Sequence, residues 1–114
     1  MLLFIHFQNG EQSLLEAASA ELGVSNRCKY EPNLDMLFGL AKGDVTRAIR
    51  AKFPAVVFLN ADAENHLDSL KSLKAHTVLN RIPVVCLGHP KSQLDVIDLY
   101  EAGANSYIEK PEDY

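Results

Sequence analysis

The residues of this chain that can carry chemistry sit at the ends of apolar runs. AVVFLN (55–60) ends in Asn60, with Asp62 two positions on. LLFIHF (2–7) ends in His6 and Phe7, and Gln8 follows. IPVVCLG (82–88) ends in Gly88 beside His89, and NSYIEKP (105–111) carries Lys110. A lysine, a carboxylate, an amide and two imidazoles would then gather at one crevice. His6, His89 and Asp62 would make a zinc-like His/His/Asp set. Their spacing matches no metal motif, so two histidines filling space is the preferred reading, and Asp62 is the weak remaining metal candidate. Asn60 is the odd member: a neutral amide is neither a strong nucleophile nor a strong metal ligand. QNGEQS after the first run is neither G-x-G-x-x-G nor G-x-x-x-x-G-K-[ST]. It is not a Ser/Thr-rich flavin loop either, and no Ser/His/Asp or Cys/His set has a readable arrangement. No enzyme and no cofactor is expected.

These side chains meet only if the runs are parallel strands of one sheet. Each run is nearly continuous rather than alternating, the pattern of strands covered by helices on both faces. Helix-like segments lie between them. Residues 12–22, QSLLEAASAEL, put Leu14, Leu15, Ala18 and Leu22 on one stripe before Gly23. Leu67, Leu70, Leu73 and Leu79 predict a helix over 68–79. Residues 92–102 predict another, capped by Ser92 and closed by Gly103, with Leu94, Ile97 and Tyr100 on its inner face. RCKYE (27–31) fits an edge strand. Residues 33–42 and 44–53 fit two short helices or one interrupted helix, with Asp44 as a cap. The sum is α/β: a doubly wound, five-stranded parallel sheet of flavodoxin-like type in one domain, residues 1–114. With strand order 2-1-3-4-5, the crevice lies beyond the carboxyl ends of strands one, three and four.

Composition narrows the function classes. The chain has 114 residues, 47 % of them apolar and 23 % charged, enough for one modest core. Eleven basic against fifteen acidic residues give a net charge of -4. That argues against nucleic acid or an anionic membrane surface as partner. Cys28 and Cys86 stand in no metal or redox spacing and are expected as free thiols in a reducing compartment. MLLFIHF is too short for a signal core and lacks a basic leader, and no apolar run approaches a membrane span. A cytoplasmic protein is expected. His66 and His76 carry no signal and are expected at the surface.

The segment IPVVCLG, fourteen residues, then GANSYIEKP resembles the fourth strand, fourth helix and closing G-A-x-x-Y-x-x-K-P run of bacterial response-regulator receiver domains (CheY-like). LLFIHF and AVVFLN resemble the family's first and third strands more weakly. The likeness spans residues 2–111, with 26–53 matching in layout alone. It implies a two-component phosphorelay module, and its site residues carry over by position. The metal-holding acid pair falls on His6 and Phe7. The phosphoacceptor aspartate falls on Asn60, and the residue whose carbonyl binds the metal falls on Asp62. The phosphoryl-binding hydroxyl falls on Gly88 and the small residue beside it on His89. Lys110 and the switch aromatic, Tyr107, are kept.

The departures decide the reading. Phosphoryl transfer needs a carboxylate nucleophile and a divalent ion, and magnesium wants hard oxygen ligands. Acid pair, acceptor and hydroxyl are lost together, so a pseudo-receiver is expected that acts by binding another protein. Lys110 is then expected to pair with Asp62 or to hydrogen-bond Asn60. As an alternative acceptor Asp62 is poorly set, because two residues past the strand end should aim it away from Lys110. The partner face is expected on helix 4 and strand 5, whose solvent side carries Asp95, Asp98 and Glu101 beyond Lys91, and which could also form a homodimer. The chain stops at PEDY where the family continues into a fifth helix, so an exposed sheet face is expected. The alternatives are a divergent receiver that still accepts a phosphoryl group, or a small flavodoxin-like ligand-binding protein or enzyme.

Overall fold

The apolar runs form a five-stranded parallel sheet in the order β2-β1-β3-β4-β5. The computed structural model describes residues 1–7, 28–89 and 93–110. Its strands are β1 (Leu2–Ile5), β2 (Cys28–Glu31), β3 (Val56–Asn60), β4 (Val84–Gly88) and β5 (Ser106–Glu109). Its helices are α1 (Asp35–Leu40), α2 (Arg47–Arg50), α3 (His66–Ala75) and α4 (Gln93–Glu101), with a 3-10 turn at Leu79–Arg81. The doubly wound order is the one expected from sequence. The helix expected over 12–22 lies outside the described residues. So do Gln8, Gly23, Arg27, Lys91, the Ser92 cap, the Leu94 side chain and the turn at Pro111.

The two sheet faces differ. On one, Leu3, Ile5, Val57, Leu59, Val84 and Cys86 are at most 2 % exposed and pack with Leu37, Leu70, Leu73, Leu79 and Leu99. Each buried leucine contributes about 2 kcal/mol of transfer free energy. On the other face Phe4 stacks between Tyr30 and Phe58, at centroid distances of 5.0 and 4.8 Å. There Phe58, Val85 and Leu87 are half-buried and Ile108 is 49 % exposed. Nearly continuous apolar strands therefore have one closed face and one partly open face.

Local chemistry trims the predicted elements. β1 ends at Ile5 because His6 turns into the left-handed region, φ 69°. β4 starts at Val84 because Pro83 has no N–H to give the ladder, although its carbonyl accepts from Val57 N at 2.9 Å. The helix expected over 68–79 stops at Ala75. His76 is extended, and its Nδ1 accepts from Val78 N and Leu79 N at 3.1 and 3.2 Å, which starts the 3-10 turn. His76 is half-buried and structural rather than idle at the surface. The Asp44 cap is displaced two residues: Thr46 Oγ1 accepts from Ile49 N and opens α2. Gly103, φ 111°, closes α4, with Ala104 N bonded to Leu99 O.

Lys74 ties the layers together beneath the crevice. Its ammonium donates to Asn105 Oδ1 at 2.9 Å, Ile82 O at 3.2 Å and Asn80 O at 3.3 Å. Asn105 Oδ1 also accepts from the N–H of buried Val84. The entries to β4 and β5 thus hang on one side chain of α3. Gly103 makes room for it, since a Cβ there would lie 2.7 Å from Lys74 Cγ.

Candidate functional site

Lys110 follows β5 and extends its ladder, its N–H donating to Gly88 O at 3.0 Å. That pairing sends the side chain inward, where it is 4 % exposed. Its ammonium donates to Asn60 Oδ1 at 2.7 Å and stands 3.0 Å from Asp62 Oδ2. The ring centroid of Phe7 lies 5.4 Å away, within cation–π range. A buried charge is tolerated when it is paired and hydrogen-bonded, and this one is.

Asn60, 5 % exposed, uses both ends of its amide. Nδ2 donates to His6 O at 3.1 Å, while Oδ1 accepts from Lys110 and from Asp62 N at 3.1 Å. The left-handed turn at His6 leaves its carbonyl as the acceptor for that amide. A carboxylate at position 60 could not make this donation.

Asp62 does not point away from Lys110. The Asn60 side chain caps the Asp62 N–H in an Asx turn, and Ala63 N bonds back to Asn60 O at 3.3 Å. The chain therefore doubles back and returns the carboxylate to the crevice. Oδ1 accepts from His89 N at 2.8 Å; Oδ2 faces both His89 Nδ1 at 2.8 Å and Lys110. Burial alone would push this carboxyl up. Hydrogen bonds from the His89 N–H, Lys110 and the His89 ring, with the Lys110 charge, outweigh burial and hold it below the usual range.

The remaining positions divide between crevice and surroundings. His6 leaves the network, its Nε2 meeting Ser69 Oγ on α3 at 2.9 Å. The proposed His/His/Asp set is therefore not assembled, and no group of three or more candidate ligands forms among the described residues. Phe7 is buried edge-on against Phe4. At Gly88 an added Cβ would stand 2.9 Å from Ala61 Cβ and 3.1 Å from Asp62 Oδ1, so the returning loop occupies the space of a side chain. Tyr107 is half-buried, its hydroxyl donating to Gly88 O at 2.8 Å and its N–H to Tyr100 Oη at 3.1 Å. Burial raises the Tyr107 hydroxyl pKa, and the charges of Asp62, Glu109, Cys86 and Asp95 add to that.

The donor set does not fit magnesium. The positions of the acid pair offer an imidazole turned to Ser69 and a phenyl ring, and Asn60 Oδ1 already accepts twice. The one carboxylate present, Asp62, is engaged by Lys110 and His89. Ser69, Lys74 and Asn105 escaped sequence reasoning, because each acts through a long-range hydrogen bond that no local spacing encodes. Tyr100 and Ile97, expected on the inner face of their helix, are instead 48 and 49 % exposed, and Tyr100 Oη accepts from Tyr107 N. The N-x-D order of Asn60 and Asp62 is the one local cue, an Asx turn.

No protein-family model matches the chain, and no curated protein matches it. Solved structures do. The response regulator RPA3017 in red light signaling of R. palustris superposes with a TM-score of 0.80 at 17 % identity, covering 96 % of this chain and 80 % of that one. A response regulator receiver domain from Rhodospirillum rubrum gives 0.77 at 25 % identity, covering 100 % and 83 %. The bacteriophytochrome response regulator RtBRR gives 0.73 at 29 % identity, covering 96 % and 68 %. The chain has the fold of response-regulator receiver domains. No helix among the described residues is long and apolar enough to cross a membrane.

Proposed function

We propose that this receiver-fold domain is a pseudo-receiver, a signalling module that binds a protein and does not accept a phosphoryl group at the usual position. The observation that carries the reading is the Lys110 ammonium. In place of a phosphorylated side chain it is held by Asn60 Oδ1 at 2.7 Å and Asp62 Oδ2 at 3.0 Å. An amide cannot form an acyl phosphate, because it has no carboxylate oxygen to attack phosphorus. Asp62 supplies a fixed negative charge where a transferred phosphoryl group would bring one, so the crevice is set in one arrangement. It is neither an enzyme nor a cofactor site on this reading, and its place is the cytoplasm.

The partner face is α4 with β5. Ile97 and Tyr100 on α4 are 49 and 48 % exposed, beside Asp98 and Glu101, and Tyr100 is tied to β5 through its hydrogen bond from Tyr107 N. Exposed apolar side chains rimmed by charge are the composition of a docking surface, for a protein partner or a second copy of the chain.

The test is an amide-shift titration with Mg²⁺, then with beryllofluoride. The expected result is no saturable change at His6, Asn60, Gly88 or Lys110. A second reading, a relocated acceptor, is favoured by the proximity of Asp62 to Lys110. It predicts shifts spreading from Asp62 to Tyr107, and mass gain of one phosphoryl group with acetyl phosphate that Asp62→Asn abolishes. That outcome would end the pseudo-receiver reading.

A further inference from the structure

The exposed charge of this chain is sorted by element. Lys42, Arg47, Arg50 and Lys52 put four of the eleven basic residues between positions 42 and 52, where Asp44 is the one acid. All four are exposed, and none has an ion-pair partner among the described residues. Neither α4 nor β5 carries a basic residue. Their Asp98, Glu101 and Glu109 are exposed and likewise without an ion-pair partner among the described residues. Asp95, on the same helix, is engaged within the fold and adds nothing to this charge.

Topology sets the two patches at opposite flanks of one helical layer. Leu37 of α1, Leu70 and Leu73 of α3 and Leu99 of α4 share the closed face of the sheet. Right-handed crossovers carry α1 and α2 from β2 across β1 to β3, and α4 from β4 to β5. With α3 between them, one molecule cannot bring its own two patches together.

The patches also match in spacing. Arg47 and Arg50 are three apart on α2, and Asp98 and Glu101 are three apart on α4. Residues so placed are neighbours on a helix surface, about 5–6 Å apart, so two arginine–carboxylate pairs can form in register. Arginine suits the task, because its planar fork pairs with carboxylates and stacks on aromatic rings such as that of exposed Tyr100. Half-buried Val45 and Ile49, beside the arginines, offer apolar surface to exposed Ile97. A symmetric contact of α4 with α4 would instead set acid against acid.

We propose that the α4 face of one copy docks on the α2 segment of a second copy, head to tail. The inference rests on α4 as the partner face and names what covers it. Such a contact is heterologous, and its repetition gives a ring or an open chain.

The experiment is sedimentation velocity of the whole chain at rising concentration and at two ionic strengths. The native chain should associate, and less so as salt rises from about 0.01 to about 1 M and the screening length falls from about 30 to about 3 Å. Arg47→Gln with Arg50→Gln, and Asp98→Asn with Glu101→Gln, should each weaken association about tenfold. All four positions are exposed, so neither double variant disturbs the core. Mixed in equal amounts, the two variants should form a one-to-one dimer and nothing larger, since each supplies the patch the other lacks. A native chain that stays monomeric at about 1 mM overturns the proposal, whatever the crevice does with beryllofluoride and whatever other protein α4 binds. So does a mixture that stays monomeric, or association that survives Arg47→Gln with Arg50→Gln. Association that strengthens with salt overturns it too, since screening would then be relieving the acid–acid repulsion of a symmetric α4 dimer.

Discussion

Asp62 Oδ2 stands 3.0 Å from Lys110 Nζ, a pair joining the loop after β3 to the end of β5. Its contribution to stability has a definite pH sign. The Asp62 carboxyl lies below its ordinary 3.8 in the fold, against the push of burial. A depressed carboxyl stabilises the native state above the unfolded value and loses that contribution as pH falls through the folded value. Urea midpoints should therefore fall more steeply between about pH 5 and pH 2 in the native sequence than in Asp62→Asn. Equal slopes would show that the pair contributes nothing in solution.

Asn60→Asp tests whether the amide is a lost acceptor or a fitted part. The change removes the donation to His6 O and puts a second carboxylate against one ammonium. At neutral pH it should cost about 1–3 kcal/mol, measured by urea unfolding. The deficit should narrow as pH falls, because two close carboxylates push one of the pair upward and its protonation relieves them. The variant should stay silent toward magnesium, since His6 and Phe7 remain. Saturable magnesium binding would show that the acid pair is dispensable here.

Much of this was legible in the sequence, for a physical reason. Val56–Asn60 and Val84–Gly88 are continuous apolar runs, and buried parallel strands must be; with the crossover lengths they pointed to a parallel doubly wound sheet, while the order 2-1-3-4-5 was taken from the flavodoxin-like type. Lys110 and Tyr107 were found through the run GANSYIEKP. The position of Asp62 was misread because strand parity was carried beyond Asn60, where the Asx turn had already reversed the chain. The end of α3 was misread because leucine spacing continues to Leu79, while His76 binds two backbone N–H groups and breaks the helix. Such side-chain-to-backbone competition is invisible to periodicity.

Asn105→Ala should be among the costlier substitutions at an exposed position. It removes the acceptor shared by Lys74 Nζ and by the N–H of Val84, a residue with no exposure at all. An orphaned buried N–H costs about 1–3 kcal/mol. Asn105→Asp keeps an acceptor oxygen near the Lys74 ammonium and should recover most of the loss. Both follow from chemical unfolding monitored by circular dichroism. An alanine variant as stable as the native chain would mean that water replaces the side chain at both donors.

Restoring a hydroxyl at position 88 should damage the fold without restoring chemistry. A Cβ on Gly88 would stand 2.9 Å from Ala61 Cβ and 3.1 Å from Asp62 Oδ1. Ala61 cannot retreat freely, because its N–H is bound to Leu87 O at 2.8 Å. Gly88→Thr must therefore push the loop outward, carrying Asp62 from Lys110 and His89. Overpacking of this kind costs about 1–3 kcal/mol, and a lowered melting temperature should record it. Pairing the change with Asp62→Ala removes the crowded carboxylate but leaves the Ala61 contact, so stability should return only in part. Full recovery in that double variant would place the crowding at Asp62 alone, and Ala61 would then be the residue that yields.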